Sequence, residues 1–222
     1  MISLCLPTRG RPEAFKNMYT SAIELADNPN DLEFISFHDD DDRSVYEYHG
    51  YHKVVVGKRD AQPITETWNI CVKEATGDLF LFIMDDAVFY TKGWDTATHK
   101  AFDESDDKII FAYYDDQYYR SNHGSVFCVH KNWIDAVGYL APHYFTAHFG
   151  DGWVNAVADK IKRKVFLRHT VVKHHSILKD LTHLEHMERK RRDDPKSLFI
   201  AKEEERVQDA QKLQDFINNF KK

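Results

Sequence analysis

Two adjacent acids, Asp85 and Asp86, are the residues of this chain whose types and position most clearly suggest chemistry. They directly follow residues 79–84, an apolar run that carries no charge. Such a run predicts a buried central strand, which places the acids at its carboxyl end, where open α/β sheets bind ligands. Adjacent carboxylates repel each other and are costly to desolvate, so the pair indicates a divalent cation or a network of donors. The alternative is a solvated turn, because acid pairs are common in turns.

A polar turn at residues 8–12 separates the first predicted strand, residues 2–6, from a helix that starts near Glu13. Its two arginines, Arg9 and Arg11, stand close to the helix N-terminus and would suit phosphate or carboxylate groups. The alternative interpretation is that both are solvated loop charges.

Two other polar clusters also follow predicted strands. Four consecutive acids, residues 39–42, come after the strand at residues 32–37. Four interpretations are open for these acids: they cap a helix, they bind a cation, they accept hydrogen bonds from a ribose or base, or they form a solvated acidic loop. The pair His174 and His175 follows a late strand, where one imidazole either joins a metal shell or stays exposed.

The periodicity of apolar residues predicts alternating strands and helices, which is typical of an α/β protein. Further strands are expected at residues 53–56, 78–84, 108–114, 125–129, 164–167 and 170–172, with helices at 13–25, 64–75, 93–102, 131–137 and 154–161. The composition shifts after Ser176, so we expect one domain over residues 1–176 and a charged helical extension over 177–222. The extension should break near Asp193-Asp194-Pro195.

Composition narrows the class of protein. The 222 residues are 42% hydrophobic and carry a net charge of −6, which argues against a general nucleic-acid coat protein. The basic run at residues 189–192 is either a solvated helix face or a contact for a phosphate-rich partner. The three cysteines lie far apart in apolar segments, which fits reduced core thiols. With no signal-peptide layout and no run long enough for a membrane span, we expect a cytoplasmic protein without membrane contact.

The order of these motifs resembles the GT-A glycosyltransferases, specifically the family 2-like group, over roughly residues 1–176. The matching motifs are the PTRGRP turn, the acids after strand two, a helix bearing Thr65, Trp68 and Asn69, the acid pair, Gly150-Asp151-Gly152-Trp153 and the late histidines. The resemblance implies a Rossmann-like, mixed but mostly parallel central sheet flanked by helices. The chain departs from the family pattern at two places. The triplet around the acid pair is Met84-Asp85-Asp86 or Asp85-Asp86-Ala87 and not Asp-x-Asp, and Gly150-Asp151 stands where a Glu-Asp pair is usual.

The resemblance also implies roles for individual residues. The residues that would hold the donor nucleotide are Pro7, Thr8, Arg11, Asp39, Trp68, Asn69 and Asp85. One of the next three acids, residues 40–42, could take the place of Asp39. Asp86 and His174, or His175 in its place, would bind Mn²⁺ or Mg²⁺ and, through it, the diphosphate. Asp151 would serve as the base toward the acceptor hydroxyl.

The function so implied is metal-dependent transfer of a sugar from a nucleoside diphosphate sugar, with UDP by family analogy and with inversion. A hard cation held by carboxylates would neutralise the leaving diphosphate. For the acceptor, the basic tail and the aromatics that could stack a flipped base suggest a hydroxymethylated base in duplex DNA. A glycan or other small acceptor is the broader expectation.

Three rival functions differ in the features they require. A nucleotidyltransferase would need a Gly-rich loop at residues 7–16, where this chain has one glycine. A metal-dependent hydrolase would need a His-Glu-x-x-His spacing, which His174, His175, His183 and His186 do not provide. A module that binds nucleotides or sugars without turnover is separated from a transferase by a turnover assay.

Overall fold

An eight-stranded sheet runs through the computed structural model, which describes residues 1–48, 52–60, 63–175 and 180–220. Its strands are β1 Ile2–Pro7, β2 Leu32–Asp39, β3 Lys53–Gly57, β4 Leu79–Phe82, β5 Ala87–Phe89, β6 Phe111–Asp115, β7 Phe127–His130 and β8 Lys164–His174. Their order across the sheet is β3-β2-β1-β4-β7-β6-β8-β5. The first four strands in this order are mutually parallel, β7 is antiparallel to both neighbours, β8 is parallel to β6, and β5 is antiparallel to β8.

Helices cover both faces of the sheet. They are α1 Pro12–Glu24, α2 Ile64–Glu74, α3 Trp94–Asp103, α4 Lys131–Val137, α5 Gly150–Ile161, α6 Leu181–Asp193, α7 Pro195–Ala201 and α8 Glu203–Phe220. One core, between the sheet and helices α1 and α3, contains Phe15 and Trp94. The other, beneath α2, α4, α5 and α8, contains Trp133, Trp153 and Leu213. The mixed, mostly parallel sheet flanked by helices confirms the predicted fold class.

The charged C-terminal sequence forms helices, and the last of them packs into the core. Leu213 and Ile217 of α8 are buried, and so are two of its charged residues, Arg206 and Asp209. The guanidinium of Arg206 lies 3.7 Å from the centre of the Phe199 ring, which gives the buried cation a favourable neighbour. The predicted break at Asp193–Pro195 is confirmed, since α6 ends at Asp193 and α7 begins at Pro195. The domain boundary at residue 176 stays a prediction, because residues 176–179 lie outside the described ranges.

The acid pair stands in a tight turn between two strands, and the second of these strands was not predicted. β4 ends at Phe82, and the three residues of β5 begin directly after Asp86. β5 is too short to show a period, and only its antiparallel pairing with β8 makes it a strand. β8 in turn is one continuous strand, where two short ones were expected. Together these strands place His174 opposite Ala87 and therefore next to Asp86.

All three cysteines are free thiols in the core, as their apolar contexts predicted. Burial raises the pKa of the Cys71 thiol to about 12 and raises the pKa values of Cys5 and Cys128 in the same way. Within the described ranges, none of the helices has the length and apolar character needed to cross a bilayer.

Candidate functional site

The polar residues predicted to act together meet at one edge of the sheet. β1, β2 and β4 are parallel neighbours, so their carboxyl ends face the same side. Pro7 ends β1, Asp39 ends β2, and the acid pair follows β4. Arg11 caps α1 on the same side, directly ahead of Pro12 at the first helical position. The short strand-turn-helix connection therefore brings both arginines of the turn to the acids.

Asp85 is the centre of a buried hydrogen-bond network. The Thr8 hydroxyl donates to Asp85 Oδ2 over 2.8 Å, and Arg11 Nη1 donates to Oδ1 over 3.2 Å. Burial raises the pKa of the Asp85 carboxyl to about 6; Arg11 opposes this rise and the charge of Asp86 adds to it. Arg11 thus offsets the negative charge of the two acids only in part, and a further cation would offset the rest.

Asp86 pairs with the imidazole of His174, whose Nε2 lies 2.7 Å from Asp86 Oδ1. Burial lowers the pKa of His174, but the hydrogen bond to Asp86 and the charges of both acids outweigh it and raise the pKa overall. One carboxylate and one imidazole at this distance form a donor set that suits Mn²⁺. No group of three or more candidate ligands occurs among the described residues. Two protein ligands are enough where phosphate oxygens and water complete the shell, so the pair fits such a metal.

The acidic run at residues 39–42 holds the first turn in place. Arg9 Nη1 lies 3.2 Å from Asp39 Oδ2 and 2.5 Å from Asp41 Oδ1. Asp42 Oδ2 accepts from the backbone N–H of Gly10 over 3.1 Å. Burial raises the pKa of Asp39, against the opposing charge of Arg9. Asp39 therefore lies at the end of β2, and its contact with a base stays a prediction.

Trp68 and Asn69 lie on α2 below the site, where their polar atoms are already engaged. The Trp68 ring stacks on Phe82 at 4.3 Å between centres, and its Nε1 donates to the Ile83 carbonyl over 3.3 Å. Asn69 Oδ1 accepts from the backbone N–H groups of Leu140 and Ala141. The structure thus places these two residues beneath the strand that carries the acids, and their role in donor binding stays a prediction.

Asp151 lies in the first turn of α5, at the same edge of the sheet. A Cβ atom added to the preceding Gly150 would meet Thr65 Cγ2 at 2.7 Å, so the helix starts in close contact with α2. The Asp151 carboxylate pairs with His123, whose Nε2 lies 2.7 Å from Asp151 Oδ2. His123 belongs to the loop after β6, another strand whose carboxyl end faces this side. The imidazole fixes one carboxylate oxygen, and the other accepts the N–H of Gly152.

Helix α6 lies across this edge and contacts both the turn after β1 and the segment before Asp151. Its N-cap, Asp180, accepts from Arg11 Nε over 2.7 Å. The Thr182 hydroxyl donates to the Arg9 carbonyl over 2.9 Å. At the other side the rings of His148 and His186 lie 4.5 Å apart, centre to centre. A helix of the charged C-terminal extension therefore borders the candidate site.

The half-buried imidazole of His186 should make the protein sensitive to mild acid. Burial, together with charge repulsion from His148, Arg189, His183 and Lys190, lowers its pKa to about 4. The unfolded chain takes up a proton near pH 6.5 and the folded chain does not, so the free energy of unfolding falls as the pH drops from about 6.5 to 4. Because the ring is partly exposed, we expect a contribution of between about 1 and 2 kcal/mol at pH 5.

Denaturant unfolding at pH 7 and pH 5 measures this effect. His186→Gln should lose less stability between the two pH values than the wild type, and the exposed His169→Gln should behave as the wild type does. Equal losses in all three proteins would contradict the assignment to His186.

Several residues of the site escaped the sequence analysis. Asp180 and the whole of α6 belong to a charged segment that shows no sign of packing against the first turn. His123 could have been found, since it stands in a polar loop that follows a predicted strand, but nothing local links it to Asp151, 28 positions away.

Comparison with known proteins identifies the architecture. No protein-family model and no curated protein sequence matches this chain. Solved structures do match, and they show that the chain has the GT-A fold. S. aureus TarS in complex with UDP-GlcNAc matches over 84% of this chain and 64% of its own, at 14% identity and a TM-score of 0.59.

Two further structures share the fold. The mannosyltransferase PcManGT from Pyrobaculum calidifontis, in complex with GDP-Man and Mn²⁺, matches over 83% of this chain and 59% of its own, at 14% identity and a TM-score of 0.60. GalNAc-T7 with UDP, GalNAc and Mn²⁺ matches over 78% and 43%, at 10% identity and a TM-score of 0.62. This chain therefore spans less than two thirds of each of these three structures.

Proposed function

We propose that this protein is a metal-dependent glycosyltransferase that uses a nucleoside diphosphate sugar as donor. The observation that carries the proposal is the arrangement of Asp85, Asp86, His174 and Arg11 at the carboxyl edge of a GT-A sheet. It is supported by the structural neighbours, which were solved with UDP-GlcNAc, GDP-Man and UDP, the last two with Mn²⁺.

The site residues would bind three parts of the donor complex: the metal ion, the diphosphate and the nucleoside. Asp86 and His174 would bind the metal ion, which would supply positive charge for the leaving diphosphate. Arg11 would contact a phosphate oxygen, because its guanidinium lies beside the acid pair and is a charge-assisted donor suited to phosphate. Thr8 would keep Asp85 oriented, and Asp39, at the end of β2, would contact the nucleoside.

Asp151 would accept the proton of the acceptor hydroxyl. Its carboxylate is partly exposed and held by His123, which leaves it accessible and keeps its orientation constant. Direct attack of the activated hydroxyl on the sugar would give inversion. We further propose that the donor nucleotide is UDP, that transfer inverts the configuration at the sugar carbon, and that the protein is cytoplasmic.

The metal and nucleotide requirement can be tested by a thermal-shift panel. UDP, GDP, ADP and CDP are each added with Mn²⁺, with Mg²⁺ and with EDTA to wild type, Asp86→Ala and a control, Asp106→Ala, whose side chain is exposed away from the site. We expect one nucleotide to stabilise wild type and the control only when metal is present, and to leave Asp86→Ala unchanged.

The outcomes separate the rival functions as well. No shift with any nucleotide would remove the transferase proposal. A metal-dependent shift without release of sugar from any matching donor would favour a binding module that lacks turnover.

A further inference from the structure

The loop that joins β6 to β7 presents two neighbouring tyrosines to solvent beside the candidate site. Tyr118 is 81% exposed and Tyr119 is 46% exposed. Their rings meet edge to face, with centres 4.6 Å apart and planes 88° apart, and the Tyr119 ring stands against His123 at 5.1 Å. Large aromatic side chains lose the benefit of burial in such a position, so their exposure needs a reason.

The loop is rigidly built by one buried carboxylate. Asp116 is only 4% exposed, and its Oδ1 accepts the backbone N–H groups of Tyr118, Tyr119 and Arg120 over 2.7 to 3.0 Å. Its Oδ2 accepts from the Ser125 hydroxyl over 2.8 Å. Burying a charge is costly unless it is fully hydrogen-bonded, and here the bonds set the backbone that carries the two exposed rings.

The backbone of the same loop is also strained. Gln117 and Arg120, on either side of the tyrosines, have φ values of +61° and +54°. Residues other than glycine adopt this region at a cost, and such cost is typical of positions held for a function. A loop that only joined two antiparallel strands would need neither the buried acid nor these conformations.

The tyrosines are held at a constant position relative to Asp151. Asn155 of α5 accepts from the Gly124 N–H over 3.0 Å and donates to the Gly124 carbonyl over 2.9 Å. The same side chain donates to the Asp151 carbonyl over 2.9 Å. With the pair between His123 and Asp151, these bonds tie the end of the loop to the first turn of α5.

We propose that Tyr118 and Tyr119 form a stacking platform for a pyranose ring of a saccharide acceptor, placed so that a hydroxyl of the acceptor reaches Asp151. This inference rests on the proposed transferase function and specifies its acceptor. The negative face of an aromatic ring attracts the weakly positive C–H groups on one side of a pyranose, and a carboxylate next to it accepts hydrogen bonds from the hydroxyls.

The charge around the platform favours a neutral sugar over a nucleic acid. Burial raises the pKa of the Tyr119 hydroxyl, and the neighbouring Tyr118, Asp151 and Asp116 add to the rise. The carboxylates of Asp116 and Asp151 would repel the phosphates of a DNA or RNA acceptor, and the exposed Arg120 of the same loop offsets them only in part. A flipped base could stack on the same rings, so nucleic acid remains an outcome that the experiment must exclude.

A glycan array tests the proposal directly. Wild type, Tyr118→Ala, Tyr118→Phe and the matched exposed control Tyr46→Ala are applied, with UDP and Mn²⁺, to immobilised pyranose oligosaccharides and to single-stranded oligonucleotides. We expect wild type, Tyr118→Phe and Tyr46→Ala to bind the same saccharides, and Tyr118→Ala to bind them at least about 10-fold more weakly. Any binding to the oligonucleotides should be equally strong in wild type and in Tyr118→Ala.

The proposal is overturned if wild type binds no saccharide, if Tyr118→Ala binds as wild type does, or if the Tyr118-dependent ligand is an oligonucleotide. The thermal-shift panel with nucleotides, run on the same variants, keeps this failure apart from failure of the transferase function. Tyr118→Ala should retain the full metal-dependent nucleotide shift, since the platform does not touch the residues proposed to bind the donor.

Discussion

The Arg11→Met variant is expected to lose about 3 kcal/mol of unfolding free energy in the absence of metal. The Arg11 guanidinium lies 3.2 Å from Asp85 and 3.9 Å from Asp86, and the side chains of these acids are 6% and 5% exposed. Methionine keeps much of the volume and removes the cation, so, within the described ranges, Asp85 would keep only the Thr8 hydroxyl as a partner beside the buried Asp86. Urea unfolding at neutral pH in EDTA measures the loss.

Arg9→Met is the matched control from the same turn. Arg9 pairs with Asp41, whose side chain is 47% exposed, so the loss should stay within about 1 kcal/mol. Equal losses in the two variants would contradict the special position of Arg11. In the nucleotide assay Arg11→Met should also weaken binding at least about 10-fold, as expected when a phosphate loses a charge-assisted donor.

The Asp209→Ala variant is expected to lose about 3 kcal/mol as well, through a different cause. Asp209 on α8 is 3% exposed and accepts hydrogen bonds from Trp153 Nε1, over 3.1 Å, and from the Tyr139 hydroxyl. Alanine would leave the buried Trp153 N–H and the half-buried Tyr139 hydroxyl without this acceptor, beneath a helix that covers the core around α5. Each donor so left costs about 1 to 3 kcal/mol.

Asp215→Ala on the same helix is the control, because Asp215 is exposed and bonds only to Gln211 among the described contacts. It should change the free energy of unfolding by less than about 0.5 kcal/mol. A thermal or urea melt of Asp209→Ala that overlays the wild type would contradict a stabilising role for these two bonds. The expected loss would show instead that an acid of the charged C-terminal segment stabilises the core.

The first half of the fold follows from local sequence signals. The apolar strand, the turn with Pro12 at the start of a helix, and the uncharged run before Asp85 each show their conformation within a few residues. Parallel strands place their carboxyl ends together, so the meeting of Thr8, Arg11 and the acid pair could also be expected.

The parts that could not be predicted depend on contacts between distant segments. β5 is a strand because β8 pairs with it, and no pattern in three residues announces that pairing. Asp180 is hydrogen-bonded to Arg11, which lies 169 positions earlier in the sequence, and Asp209 is hydrogen-bonded to Tyr139, 70 positions earlier. Each of these charged residues has the local sequence of a solvated helix, and only the three-dimensional arrangement gives it a buried or bridging partner.

The three core thiols have a practical consequence. A thiol reacts with maleimides and disulfides as its thiolate, and Cys5, Cys71 and Cys128 are shielded from solvent and hold their protons strongly near neutral pH. We therefore expect thiol reagents to label the native protein very little. A cysteine placed on the exposed Tyr118 loop would be the one reactive thiol of four, so a fluorophore there would report whether a saccharide binds at the loop without any other residue having to be changed.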